Sequence, residues 1–141
     1  MLIMPTNKNK WWAKKLKGIE FVFLAVGALA GAFVRYKITE SPVILGVLPI
    51  NILIINVLGS FILGIFVVLS TNFNLDPRYS FLVAIGFCGS FTTMSSFALQ
   101  SVSLLDSKNF MLFGLDLLGN VGLSILALFF GREIGNLLFK P

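Results

Sequence analysis

The sequence predicts an all-α integral membrane protein with four transmembrane helices. Two features of composition predict this class. Hydrophobic residues make up 57% of the 141 residues while charged residues make up 12%, and the mean hydropathy is +0.93. An average soluble domain is about one-quarter charged. The third observation is a series of four apolar segments that each reach or approach the ~20 residues a helix needs to cross a bilayer. The chain is therefore expected to lie in a lipid membrane.

The elements follow one another with short linkers. A basic flank, residues 1–18, carries five lysines around Trp11 and Trp12 and runs directly into an apolar segment. Because no small-residue cleavage site follows a short apolar core, we interpret this flank as a retained cytoplasmic segment rather than a signal peptide. The predicted membrane domain is residues 19–131, and the C-terminal tail is residues 132–141. Within that domain we predict spans at about 19–36, 43–70, 79–105 and 110–131.

The distribution of basic residues predicts the orientation. Four spans place both termini on one side of the membrane. The N-terminal flank, the 71–78 loop and the tail hold eight of the eleven basic residues, whereas Arg35, Lys37 and Lys108 fall on the other side. Since cytoplasmic segments are enriched in Lys and Arg, we expect both termini in the cytoplasm.

Composition also excludes several functions. The chain has no histidine and one cysteine, Cys88, which leaves neither a soft metal site nor an intrachain disulfide framework. Without a histidine base, and with carboxylates mostly at segment ends, an enzyme is not expected. The net charge of +5 is not arranged as an aromatic-interleaved stripe, so nucleic acid is not an expected partner.

The first span carries a face of small residues. Gly27, Ala28, Gly31 and Ala32 recur at helical spacing, which predicts close packing against another helix. Arg35 closes this span near the membrane edge, where an arginine either extends to the lipid headgroups or lines a vestibule.

The second span contains an amide at membrane depth. Asn56 lies among aliphatic residues, where its side chain is costly unless hydrogen-bonded, and Gly59 and Ser60 follow one turn later. Two interpretations stay open, a polar path and an interhelical hydrogen bond. Asn51, just after Pro49, is expected to satisfy backbone groups near the start of the span.

The third span contains a glycine- and hydroxyl-rich interruption over residues 86–97. Gly89 and Ser90, followed by Thr92 and Thr93, predict a break at the centre of this helix. Such a break frees carbonyl oxygens before it and exposes amide groups after it, with a hydroxyl available as an N-cap. Free carbonyls at membrane depth are ligands for cations.

Two faces follow this break. Met94 and Phe97 stand three residues apart on one face, while Thr93, Ser96 and Gln100 form a polar stripe at three- and four-residue intervals. A polar track is therefore predicted beside an aromatic one.

Three segments, residues 31–36, 56–61 and 86–97, resemble in order and spacing the motifs of the Fluc-type (CrcB-like) fluoride channels, which are four-span prokaryotic proteins. The resemblance covers essentially all four spans. It implies an antiparallel, dual-topology dimer in the plasma membrane, with two separate pores through which fluoride leaves the cytoplasm passively.

The resemblance also implies roles for individual residues. The backbone carbonyls of Gly89 and Thr92, two from each subunit, would ligate a structural sodium ion at the dimer axis. Asn56 would donate to fluoride and Phe97 would present the positive edge of its ring. Arg35 would concentrate anions at a vestibule. The other implied pore residues are Met94, Thr93, Ser95, Ser96 and Ser124.

The chain departs from the family pattern at several positions. Met94 stands where the family has phenylalanine, so the aromatic pair is incomplete, and a thioether lacks a positive ring edge. Asn51 and Ile52 replace a Gly-Thr pair, and Asn120 and Ser124 occupy the places of a tyrosine and a serine. Met94 therefore puts conduction by one pore in question.

Two assemblies stay open. A homodimer requires half of the copies to insert inverted, which the eight-to-three distribution of basic residues opposes. A heterodimer with an oppositely oriented homologue would explain both that asymmetry and the altered pore residues.

Two other functions compete with a channel. A small antiparallel drug/proton antiporter needs a membrane-embedded carboxylate, for which the candidates are Glu20 and Asp116, both expected at the membrane interface. The third possibility is a structural membrane subunit whose polar residues only hold helices together.

Overall fold

The fold consists of four long apolar helices, and the computed structural model describes residues 18–40, 43–45 and 48–139. Each helix is long and apolar enough to cross a membrane, so the predicted class is confirmed. The predicted N-terminal flank lies outside the described residues except for Gly18, as do the last two residues of the predicted tail. The four spans are Gly18–Glu40, Asn51–Asn72, Pro77–Asp106 and Phe110–Leu138.

The helix ends differ from the predicted spans. The first helix continues to residue 40 rather than 36, and the fourth continues to residue 138 rather than 131. The second begins at residue 51 rather than 43, because a short antiparallel pair of strands precedes it, Ile44–Leu45 with Leu48–Pro49. Proline also lacks the N–H that a helix interior requires, which disfavours an earlier start.

Asn51 ties this connection to the first span. Its side-chain oxygen accepts from the Val43 backbone N–H at 2.7 Å, and its amide donates to the Ile38 carbonyl. The side chain is 5% exposed, so both bonds satisfy buried groups. The expectation that Asn51 satisfies backbone groups is confirmed.

Glycines set the packing of the first span on the third. A Cβ at Gly27 would clash with the Leu82 carbonyl, and one at Gly31 would clash with the Phe87 carbonyl. The two backbones can approach this closely only because these positions lack side chains. The predicted close packing of the first span is therefore confirmed.

The second and fourth spans pack by the same means. A Cβ at Gly64 would meet the Leu128 carbonyl, and one at Gly131 would meet the Phe61 carbonyl. The molecule is thus built from two closely packed helix pairs, the first with the third and the second with the fourth.

The third span changes helix type along its length. Asp76 caps its start by accepting from the Arg78 N–H at 2.9 Å, and the Arg78 guanidinium bonds the same carboxylate at 3.0 and 2.8 Å. A π-helix over Phe81–Cys88 and a short α-helix over Gly89–Phe91 follow. An α-helix then begins at Met94 and continues to Asp106.

Much of the apolar surface is uncovered. Large side chains that are more than 70% exposed are distributed over the first, third and fourth spans: Leu29, Met94, Leu99, Met111, Leu118 and Leu137. An apolar surface of this extent fits lipid or another membrane helix rather than water. With the four apolar spans, it is the surface of a multi-pass membrane protein.

Candidate functional site

The backbone leaves the helical conformation at two residues of the third span. Thr92 has φ −71° and ψ 155°, and Thr93 has φ −147° and ψ 108°. In a continuous helix the Thr93 N–H would donate to the Gly89 carbonyl, but here it donates to the side-chain oxygen of Asn56 at 2.8 Å. The Gly89 carbonyl thereby loses its regular helical donor.

The Thr92 carbonyl loses its regular donor in a similar way. The Ser96 N–H, which would bond it in a continuous helix, donates instead to the Thr93 hydroxyl at 3.3 Å, so Thr93 is the N-cap of the following helix. Gly89 and Thr92 therefore both present backbone oxygens without their helical partners, and such oxygens suit a hard cation.

Asn56 connects this interruption to the fourth span. Its amide donates to the Asn120 side-chain oxygen at 2.9 Å and, over a long 3.4 Å, to the Thr93 carbonyl. The two interpretations left open by the sequence are both compatible with this position, because Asn56 holds two helices together and also lines a cavity.

A carboxylate lies behind Asn120. The Asn120 amide donates to the Asp116 side chain at 2.9 Å and to the Asp116 carbonyl at 3.2 Å. Gln100 donates to the same carboxylate at 2.8 Å, and the Ser101 hydroxyl donates at 3.4 Å. Asp116 is 3% exposed. The third and fourth spans enclose the Asp116 side chain and supply its hydrogen bonds, whereas its depth relative to the membrane interface stays a prediction.

A group of hydroxyls surrounds Thr93. Its hydroxyl donates to Ser96 Oγ at 3.0 Å and lies 3.4 Å from Ser95 Oγ. The Thr93 side chain is 5% exposed, whereas Ser95 is exposed. The predicted polar stripe is thus continuous from Thr93 to Ser96 in this chain.

A cavity of about 410 Å³ opens among the second, third and fourth spans. Its lining includes Gly89, Thr92 and Cys88. Cys88 carries a free thiol and is 2% exposed. Arg35, in the last part of the first span, is not part of this lining, nor are Ser95 and Ser96. Of the residues expected to line a pore, the cavity brings together Asn56, Thr93, Met94, Phe97 and Ser124.

The lining residues differ in exposure. Phe97 is 5% exposed and Met94 is 72% exposed, although both border the cavity. The Ser124 hydroxyl oxygen is buried and has no hydrogen-bond partner among the described residues. Ser124 thus offers a donor to whatever occupies the cavity.

Sequence reasoning missed the connection of Asp116 to this site. The available signal was the four-residue spacing of Asp116, Asn120 and Ser124, which places all three on one face of the fourth span. That face meets Asn56 only through the packing of the second and fourth spans.

Comparison with known proteins identifies the family of this chain. A sequence model of the family described as CrcB-like protein, Camphor Resistance (CrcB), matches residues 22–132. A protein of Nitrosopumilus maritimus (strain SCM1) named fluoride-specific ion channel FluC is 59% identical over 119 residues, which cover 84% of this chain and 94% of the relative. Relatives of the same name from Sulfurihydrogenibium sp. (strain YO3AOP1) and Methanococcus vannielii are 38% and 35% identical, over 84% and 83% of this chain and 98% and 96% of their own lengths. The chain therefore belongs to the CrcB-like family of ion channels.

Proposed function

We propose that this chain forms a fluoride-selective channel through which fluoride leaves the cytoplasm passively. The observation that carries the proposal is the cavity between the spans, where the Asn56 amide and the Ser124 hydroxyl offer hydrogen-bond donors beside Phe97. Relatives that share most of the length of this chain are named fluoride-specific ion channels. As a member of a channel family, the protein is not an enzyme.

Asn56 is the proposed first contact for the anion. Its hydrogen bond to the Thr93 carbonyl is 3.4 Å long, which is weak, whereas its bond to Asn120 is 2.9 Å long. Fluoride can therefore take the weakly bonded hydrogen while Asn120 continues to hold the amide. Hydrogen bonds to a charged acceptor are about twice as strong as neutral ones, which favours the exchange.

The other proposed pore residues extend this contact. The Phe97 ring, held in a buried position, presents its positive edge, and Ser124 supplies a hydroxyl. The polar track continues from Thr93 to Ser95 and Ser96, whose hydroxyls lie beside the Thr93 hydroxyl. Met94 lines the cavity without a ring edge, and Arg35 attracts anions at the membrane edge.

We further propose a resident sodium ion held by the backbone carbonyls of Gly89 and Thr92. These oxygens fit the ion because the N–H groups of Thr93 and Ser96 that would bond them in a helix donate elsewhere. A sodium ion there would stabilise the interruption and join two subunits.

The proposed assembly is an antiparallel dimer in a prokaryotic plasma membrane, in which this chain has its termini in the cytoplasm and its partner is inverted. Exposed apolar side chains beside the interruption, including Met94 and Leu99, support a partner at this face. Either an inverted second copy of this chain or an oppositely oriented homologue can be the partner at this face. Purification of this chain alone, with cross-linking, distinguishes them: a cross-linked self-dimer with robust fluoride efflux excludes the obligate heterodimer.

The function is tested by anion efflux from liposomes that contain the purified chain. We expect fluoride to leave much faster than chloride, without drug or proton coupling. Equal rates for the two anions would contradict fluoride selectivity. Efflux no faster than from protein-free liposomes, both alone and with a co-expressed homologue, would contradict the channel. Family membership gives no support to a drug/proton antiporter or a purely structural subunit.

A further inference from the structure

The fourth span holds a carboxylate inside the membrane domain. Asp116 is the seventh residue of the Phe110–Leu138 helix and is 3% exposed. In the described part of the chain, the side chains that hydrogen-bond its carboxylate are neutral: Gln100, Ser101 and Asn120. A buried carboxylate without a paired cation is rare in a membrane domain and marks a functional position.

The carboxylate is one side chain away from the proposed anion path. Asn120 directs its amide to Asp116 through two bonds, to the side chain at 2.9 Å and to the carbonyl at 3.2 Å. This orientation turns the Asn120 oxygen toward the Asn56 amide, which lies 2.9 Å away. Asn56 and Asn120 both line the cavity.

The charge of Asp116 consequently acts on any anion in the cavity. Its Oδ1 accepts from Gln100 and Asn120, and its Oδ2 accepts from Ser101, whose hydroxyl can also accept from a protonated Oδ2. The hydrogen bonds around the carboxylate are therefore compatible with both protonation states. When ionised, the carboxylate repels a fluoride ion held by Asn56 across a medium of low dielectric. When protonated, it loses that repulsion and still accepts hydrogen bonds.

Among the described residues, no charged side chain of the helices that face Asp116 is hydrogen-bonded or ion-paired to its carboxylate. The second half of the third span presents Gln100 and Ser101 to Asp116, and the second span presents Asn56 through Asn120. Cys88 is the titratable side chain that shares the cavity with Asn120, and its thiol is buried at 2% exposure.

We propose that Asp116 binds a proton and that its protonation admits fluoride to the cavity, so that fluoride flux through this chain rises as pH falls. The inference rests on the proposed channel function. In addition to that function, Asp116 controls the access of fluoride to the cavity by binding a proton, and it does not contact the anion.

Fluoride efflux from liposomes at pH 7.5 and pH 6.0, equal on both sides, tests this directly. We expect wild-type flux to be higher at the lower pH and to approach that of a protein without the Asp116 charge, by up to roughly tenfold, because this is the scale of the effect of removing a nearby unit charge. Asp116→Asn keeps the shape but not the charge, so its flux should be high at both pH values. Asp106→Asn is the matched control, because Asp106 is exposed at the end of the third span. Protein-free liposomes give the leak of undissociated acid at each pH.

Infrared titration of the purified protein gives a second measurement that does not depend on flux. A carbonyl stretch from a protonated carboxyl should grow over the pH range in which flux rises, vanish in Asp116→Asn and persist in Asp106→Asn.

The outcomes separate the two proposals. Wild-type flux that does not change with pH, or an unchanged pH dependence in Asp116→Asn, overturns the proton-binding role and leaves the channel intact. Absence of fluoride flux from wild-type and Asp116→Asn protein at every pH, both alone and with a co-expressed homologue, overturns the channel function, and this inference with it. A carboxyl band unaffected by Asp116→Asn also overturns the inference.

Discussion

Replacing Asn56 with alanine is the most direct test of the proposed anion contact. The substitution removes the acceptor of the Thr93 N–H at 2.8 Å and the donor to Asn120 at 2.9 Å. A buried group left without its partner costs about 1–3 kcal/mol. Both groups line the cavity, where water can replace the lost bonds, so we expect a loss of stability at the low end, about 2 kcal/mol in total.

The effect on flux should be larger than this structural cost. A hydrogen bond to a charged group contributes about 1.5–3 kcal/mol. If Asn56 makes that bond to fluoride at the barrier, its loss slows flux by about 10- to 150-fold at 1.36 kcal/mol per factor of ten. Fluoride efflux from liposomes measures this, and size-exclusion chromatography shows whether the variant still assembles.

Asn72→Ala is the matched control. Asn72 donates to the Phe139 carbonyl at 2.7 Å at the far end of the second helix, away from the cavity. It should retain wild-type flux. Normal flux through an assembled Asn56→Ala protein would refute the role of the amide as an anion donor. An equal loss of flux in Asn72→Ala would show that the measurement reports general destabilisation.

Three further predictions concern packing, the aromatic pair and the cation. Gly31→Ala should lower the free energy of unfolding by about 1–3 kcal/mol, because a Cβ would clash with the backbone of the third span. Gly114→Ala should leave it unchanged, because a Cβ there would have no neighbouring atom within 4 Å. Chemical unfolding in detergent measures the stability of both variants. Met94→Phe should raise fluoride flux at little cost in stability, since Met94 is 72% exposed, and unchanged flux would contradict the interpretation of Met94 as a weakened pore residue. Replacing sodium with a large organic cation should lower the thermal stability of the dimer and its flux if the carbonyls of Gly89 and Thr92 hold the ion; no change in either would contradict that site.

The polar groups at membrane depth show how far sequence reasoning extends. Asn56 and the hydroxyls of the third span could be singled out because an unsatisfied polar group is costly among apolar residues. Their number and spacing indicated an interruption and a polar track. Their partners could not be predicted in the same way, since Asn120 is 64 residues from Asn56 along the chain.

Asp116 shows the opposite case. Its position early in an apolar segment gave no sign that Gln100, Ser101 and Asn120 enclose its side chain. Burial depends on which faces of two helices meet, and helical periodicity reports the face of one helix without its neighbour. The hairpin before Asn51 was missed for a related reason, because its apolar residues continue the hydropathy of the span.

The sequence by itself determined the membrane class, the four spans and the residues that make the interruption chemically distinct, because burial of backbone and charge in lipid tolerates few alternatives. The tertiary structure decided which helices pair, since the glycine contacts of the first with the third span and of the second with the fourth require both backbones to be in place. It also decided that Asn56, Asn120 and Asp116 form one hydrogen-bonded chain, because hydrogen bonds between helices depend on distances of a few ångströms that no linear spacing specifies.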